Sequence, residues 1–257
     1  MPADIDIGGT SEDAVLGGRL RLRQPLRGHR VGHDAMLLAA ATAALAGEHA
    51  VDLGAGIGSA GLALARRVDG VTVTLVEIDP ALTALATGNA ALNGLDGRVR
   101  AITADVEAVE ALAAAGLGAA SADHVLMNPP FNDARSLNVS PDPRRRLAHV
   151  AAPGLLGRWV ASAGWLLKPG GVLTLVWRAE ELDGVRAALA TSFGDVAVRP
   201  VQPRLGGNPI RVLVRAVKDG GDGWRECLPL VLNGVDGKPS AAAEAVLRFG
   251  EPLGFDD

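Results

Sequence analysis

Val51-Asp52-Leu53-Gly54-Ala55-Gly56-Ile57-Gly58-Ser59-Ala60-Gly61 is the stretch whose reading decides the fold. A short apolar run carries an acid, glycines follow at alternate positions, and an Ala/Leu-rich pattern then begins. That order reads as strand, tight turn and helix N-terminus. Glycine is needed where the turn takes backbone angles that a side chain forbids, and where a ligand approaches bare backbone. Gly56-x-Gly58-x-x-Gly61 matches a dinucleotide fingerprint, whose helix N-terminus holds a pyrophosphate. Asp52-x-Gly54-x-Gly56-x-Gly58 allows a second reading of the same residues. The loop alone leaves both open.

Outward from the loop the periodicity alternates. Strands are predicted at Ala50–Leu53, Val71–Glu77, Val99–Thr103, His124–Met127, Val172–Trp177, Val196–Pro200 and Ile210–Val217. Helices are predicted between them at Gly58–Val68, Pro80–Asn93, Val106–Ala115, Leu155–Leu167 and Glu180–Thr191, with another at Asp34–Ala46. Such alternation implies right-handed crossovers and a Rossmann-like, doubly wound, mostly parallel α/β sheet. About nine residues, 201–209, join the last two strands. That is too short for a helical crossover, so the last of seven strands is expected to run antiparallel. The expected organisation is an N-terminal extension over 1–47 with an Arg-rich strand and a helix, a core over 48–220 and a C-terminal tail over 221–257.

Composition narrows the classes. The 257 residues are 48% hydrophobic, enough for one sizeable core, and the formal net charge of −4 confines any nucleic-acid contact to a local patch. Cys227 is the single cysteine, which excludes an intramolecular disulfide framework and fits a reducing, cytoplasmic setting. Asp4, Asp6, Glu12 and Asp13 stand where a signal peptide carries basic residues, and the longest apolar stretch, Ala35 to Gly47, is short of the roughly 20 residues that span a bilayer. No membrane partner is expected, and no His/Cys cluster has metal spacing.

Four strand ends carry polar signals, and ligands of open α/β sheets lie beyond those ends. The first is the glycine loop with Asp52. The second is Glu77-Ile78-Asp79-Pro80, where Glu77 is placed to accept ribose hydroxyls and Asp79 reads as the N-cap before Pro80. The third is Asp105-Val106, where Asp105 either accepts an adenine amino group or caps the next helix. The fourth is Asn128-Pro129-Pro130-Phe131. A planar amine is a poor nucleophile because its lone pair is delocalised. Asn128, through its side-chain oxygen, and the Pro129 carbonyl, held rigid beside Pro130, would orient such an amine, which is catalysis by positioning. Phe131 offers a face for stacking a ring. A plain proline-rich turn is the competing reading.

Taken together, Asp-x-Gly-x-Gly-x-Gly, Glu77-Ile78-Asp79-Pro80, Asp105 and Asn128–Phe131 resemble the amino-methylating branch of class I S-adenosylmethionine-dependent methyltransferases. The flanks are similar to the bacterial tRNA adenine-N6 methyltransferases that modify adenosine beside the anticodon of a valine tRNA. They are Gln24 to Ala39, Asn89 with Asn93, Ala148-His149, Leu166 to Gly171, Leu228 to Leu232 and Asp236-Gly237. The resemblance implies S-adenosyl-L-methionine as cofactor, with Gly54, Gly56 and Gly58 at its methionine end, Glu77 on ribose and Asp105 with Val106 on adenine. Asp52, Asn128, Arg30 and Asp34 complete that set, the last two closing the site from the N-terminal side. His29, Val31 and Phe131 replace aromatics usual in the family. Stacking survives the change from Tyr to Phe131, whereas a hydroxyl contact does not.

The implied partner is tRNA. Arg19, Arg21, Arg23 and Arg27, and the run Arg144-Arg145-Arg146, are the candidate phosphate contacts, with a solvated surface as the plain alternative. A release-factor glutamine N-methyltransferase is the rival within the same chemistry. That family sets a longer helical domain before its core, where about fifty residues precede Val51 here. An NAD-type oxidoreductase is the rival of another class, and it leaves Asn128–Phe131 without a role.

Overall fold

The computed structural model describes residues 9–26, 31–130 and 154–256. Residues 10–15, mostly polar, form β1 (Thr10–Val15), which pairs antiparallel with β2 (Leu20–Pro25). β2 buries Leu20, Leu22 and Gln24 on one face and exposes Arg21 and Arg23 on the other. Helix α1 (His33–Ala41) follows. It ends earlier than the expected Ala46, because Thr42 is extended and returns its hydroxyl to the Leu38 carbonyl at 2.9 Å.

The core runs β3 (His49–Leu53), α2 (Ser59–Arg67), β4 (Thr72–Glu77), α3 (Pro80–Leu92), β5 (Val99–Thr103), α4 (Val109–Ala114) and β6 (Ala122–Met127). It continues through α5 (Leu155–Leu166), β7 (Leu167–Arg178), α6 (Leu182–Leu189), β8 (Phe193–Arg204) and β9 (Arg211–Lys218). The spatial order is β8-β9-β7-β6-β3-β4-β5. β3 to β7 pair parallel, and β9 enters antiparallel between β7 and β8. The short connection after β8 allows nothing else, so the fold is the doubly wound sheet with an antiparallel last strand.

Alternation along each strand feeds two cores. Leu75 and Leu126 pack with α1, α2 and α3, whereas the next residues, Val76 and Met127, pack with α4 and α5 on the opposite face. The chain runs outward from β3 through β4 to β5 and returns to β6 on the other side of β3. The topological switch point therefore lies between β3 and β6, where such sheets open a crevice.

Residues beyond 220 enter the same sheet. β10 (Trp224–Glu226) and β11 (Leu230–Asn233) both pair parallel along β8, and α7 (Ala241–Leu247) follows. The segment is pinned by Arg199, only 4% exposed, whose guanidinium donates to the carbonyls of Leu228 and Gly254 at 2.6 and 2.8 Å. No helix among the described residues is long and apolar enough to cross a membrane.

Candidate active site

Register sets the site. Leu53 is paired with Met127 on one side and Val76 on the other, and Glu77 with Thr103. Asn128, Gly54 and Glu77 therefore stand in one row at the carboxyl edge, at successive strands about 4.8 Å apart. Asp105 lies just beyond the next strand in the same row.

The glycine loop is braced from within. Gly54, Gly56 and Gly58 have φ of 69°, 57° and 88°, the left-handed region that side chains disfavour. A β-carbon on Gly54 would collide with the Trp159 ring of α5, whereas one on Gly56 meets nothing within 4 Å. Gly56 thus offers bare backbone beside open space. Its N–H donates to Glu77 Oε2 at 2.8 Å, and Asp79 N–H donates to Glu77 Oε1 at 3.0 Å. Each oxygen of that buried carboxylate keeps a further lone pair for a hydroxyl donor.

Asp52 is 2% exposed, and its Oδ2 accepts the Gly61 N–H at 2.8 Å. Burial pushes its carboxyl up to about 7; the Gly61 hydrogen bond opposes this, and the nearby Glu77 charge adds to it. Geometry makes Asp52 a brace of the loop and helix start. Asp79 caps α3, accepting the Ala81 N–H at 2.8 Å. Asp105 is exposed and accepts the Glu107 N–H at 2.9 Å, in a turn that delays α4 to Val109 and leaves Ala108 at its N-cap. Val106 is buried, and its carbonyl accepts from Ser162.

Asn128 differs from all of these. Its Oδ1 is buried yet has no hydrogen-bond partner among the described residues. A buried acceptor left unmade costs about 1–3 kcal/mol, so such an atom asks for an explanation by function. Pro129 is buried beside it and Pro130 half-buried. Phe131, Arg27, Arg30 and Arg144 to Arg146 lie outside the described residues, as do His29 and His149. Asp34, in the first turn of α1, is ion-paired at 2.9 Å with Arg211 at the start of β9.

Trp159 carried no signal in the sequence, since its contact with Gly54 joins segments far apart in the chain; its Nε1 is buried without a partner among the described residues. His49 bonds the Ser121 carbonyl and Thr74, and His124 bonds Glu48, so both are packed at the opposite edge of the sheet. No cluster of metal-binding side chains occurs among the described residues.

Residues 29–202 match the methyltransferase small domain family. A tRNA1(Val) (adenine(37)-N6)-methyltransferase of Shewanella amazonensis is 31% identical over 222 residues, covering 86% of this chain and 91% of that protein. A protein of the same description from Porphyromonas gingivalis is 33% identical over 168 residues, 63% of this chain; the match spans 64% of that relative's length. A release factor glutamine methyltransferase of Chlorobaculum tepidum is 33% identical over 154 residues, 58% of this chain and 51% of that protein. Among solved structures, a predicted O-methyltransferase, protein Atu636 from Agrobacterium tumefaciens, superposes with a TM-score of 0.74 at 27% identity, covering 87% of this chain and 100% of that one.

Proposed function

Since the chain belongs to the methyltransferase small domain family, and with it to the S-adenosylmethionine-dependent methyltransferases of class I fold, we propose that it methylates the exocyclic amino group of an adenine in tRNA. The observation that carries this reading is the buried Asn128 Oδ1, without a hydrogen-bond partner among the described residues, at the strand end next to that of Gly54.

The cofactor, when bound, supplies an electrophilic methyl group. The residues present fit it: bare backbone at Gly56, a buried carboxylate at Glu77 with lone pairs to spare, and a second acid at Asp105, in that order along the edge. Asn128 Oδ1 accepts one N–H of the target amine and the Pro129 carbonyl the other. Both hold the nitrogen in place without acid–base chemistry, and orientation alone is a large catalytic term. Phe131 stacks the base. The amine's surplus proton leaves to solvent. Asp34 and Arg30 close the N-terminal side in this reading, Asp34 through its ion pair with Arg211.

RNA contact is assigned to the arginines. Arg21 and Arg23 share Glu12 across the hairpin while their side chains stay 63% and 53% exposed, and Arg19 donates to the Phe249 carbonyl. Arg27 and Arg144 to Arg146 join them in this reading, which places the protein in the cytoplasm with its substrate.

The test is mass spectrometry of nucleosides after incubating the protein with S-adenosylmethionine and unmodified tRNA. N6-methyladenosine is the expected product. N-methylglutamine in a release factor, with tRNA untouched, would overturn the substrate assignment.

A further inference from the structure

On α3, Asn89 is fully buried and its carboxamide serves two separate segments. Oδ1 accepts the Arg23 N–H at 2.8 Å, and Nδ2 donates to the Arg23 and Ile57 carbonyls, both at 3.0 Å. One turn later Asn93 repeats the first half of that pattern. Its Oδ1 accepts the Arg21 N–H at 2.9 Å, and its Nδ2 donates to the Arg21 carbonyl at 2.7 Å and the Asn89 carbonyl at 2.8 Å. The two amides, spaced to share one helix face, act as a substitute strand along the edge of β2.

They differ in the remaining bond of each, which for Asn93 stays within the helix end on the Asn89 carbonyl. Asn89 alone of the two reaches Ile57, which lies between Gly56 and Gly58. The loop is fixed elsewhere by Ala55 N–H on the Val76 carbonyl at 2.9 Å, Gly58 N–H on the Ala55 carbonyl at 2.8 Å, Gly56 N–H on Glu77 and Gly61 N–H on Asp52. The Ile57 carbonyl and the Gly58 N–H share one peptide plane, which the flanking glycine leaves free to rotate; Asn89 on the carbonyl and the Ala55 carbonyl on the N–H hold that plane from both sides. We propose that Asn89 is a positioning residue for the cofactor loop, which it joins to the β1–β2 hairpin as one unit. This rests on the cofactor reading above.

Asn93 provides the control, because it makes the same hairpin bonds and none to the loop. Binding of S-adenosylhomocysteine is measured by calorimetry, and Tm by thermal unfolding, for wild type, Asn89→Asp and Asn93→Asp. Each substitution keeps the acceptor for the hairpin N–H and removes the amide donor. Asn89→Asp is expected to weaken binding about ten-fold, the scale of one lost hydrogen bond with its partner left unmade. Asn93→Asp is expected to lower Tm less, because Asn93 is only half-buried, and to leave binding within about two-fold. Should Asn89→Asp fail to fold, Asn89→Ser carries the same expectation. Equal losses for both positions, or unchanged binding at Asn89, would overturn the proposal. Wild-type protein that binds no S-adenosylhomocysteine would instead overturn the cofactor reading.

Discussion

Two neighbouring strand ends solve opposite problems. After β3 the loop is fastened by internal partners: Asp52 accepts from Gly61, Glu77 at the end of β4 accepts from Gly56, and the Ile57 carbonyl accepts from Asn89. After β6, paired directly alongside, Asn128 Oδ1 is buried and engaged by nothing among the described residues. The first end is a scaffold whose shape is over-determined. The second is an open valence that this scaffold faces. Under the proposed function, the first end holds the cofactor and the second orients the substrate, and substitutions should separate the two.

The sharpest separation comes from Asn128→Ala. Cofactor affinity should persist while turnover falls by roughly 10²–10³, the scale for one preorganised polar group; single-turnover kinetics beside calorimetry reads both. Wild-type turnover would reduce the motif to a proline-rich turn. Next is a pair within the scaffold. Gly54→Ala combines left-handed strain with a collision against Trp159 and should lower stability by about 2–4 kcal/mol in denaturant titration. Gly56→Ala has the strain without the collision, so it should cost about 1–2 kcal/mol of stability yet lose cofactor binding. Were the two equally destabilised, Gly56 would not be facing open space.

Glu77→Ala should weaken cofactor binding by about 1.5–3 kcal/mol through a lost charge-assisted hydrogen bond. NAD binding without S-adenosylmethionine binding would break the comparison at its root. A further effect is electrostatic. Because burial raises the Asp52 carboxyl to about 7, the native state keeps a proton that the unfolded chain releases near the ordinary 3.8. Stability should therefore decline as pH rises from about 4 to 7 and level off above it. Asp52→Asn, which keeps an acceptor for Gly61, should flatten that slope in unfolding curves taken across the window.

Local chemistry made much of this legible. The alternate glycines Gly54, Gly56 and Gly58 all take positive φ, Asp79 before Pro80 is a cap, and the few residues between β8 and β9 admit no crossover. Long-range pairing was hidden. β10 and β11 are too short to show a period, and they exist because the edge of β8 offers unpaired groups. Asp105 carried two local readings, and a turn ahead of the helix supplied a third. Trp159 over Gly54, and the Asn89 bond to Ile57, join segments that nothing in the local pattern connects.

The strands laid along β8 bear on solubility as well as on shape. An uncovered edge of that length would present a row of free N–H and C=O groups, the template on which one chain recruits another. Here β10 and β11 occupy it, and Arg199 fastens the segment that carries them. The far edge, β5, is short and carries Arg100 outward. Trimming the chain after β9 would leave the row of site residues intact on paper and produce a protein prone to self-association, so insolubility would precede any loss of chemistry.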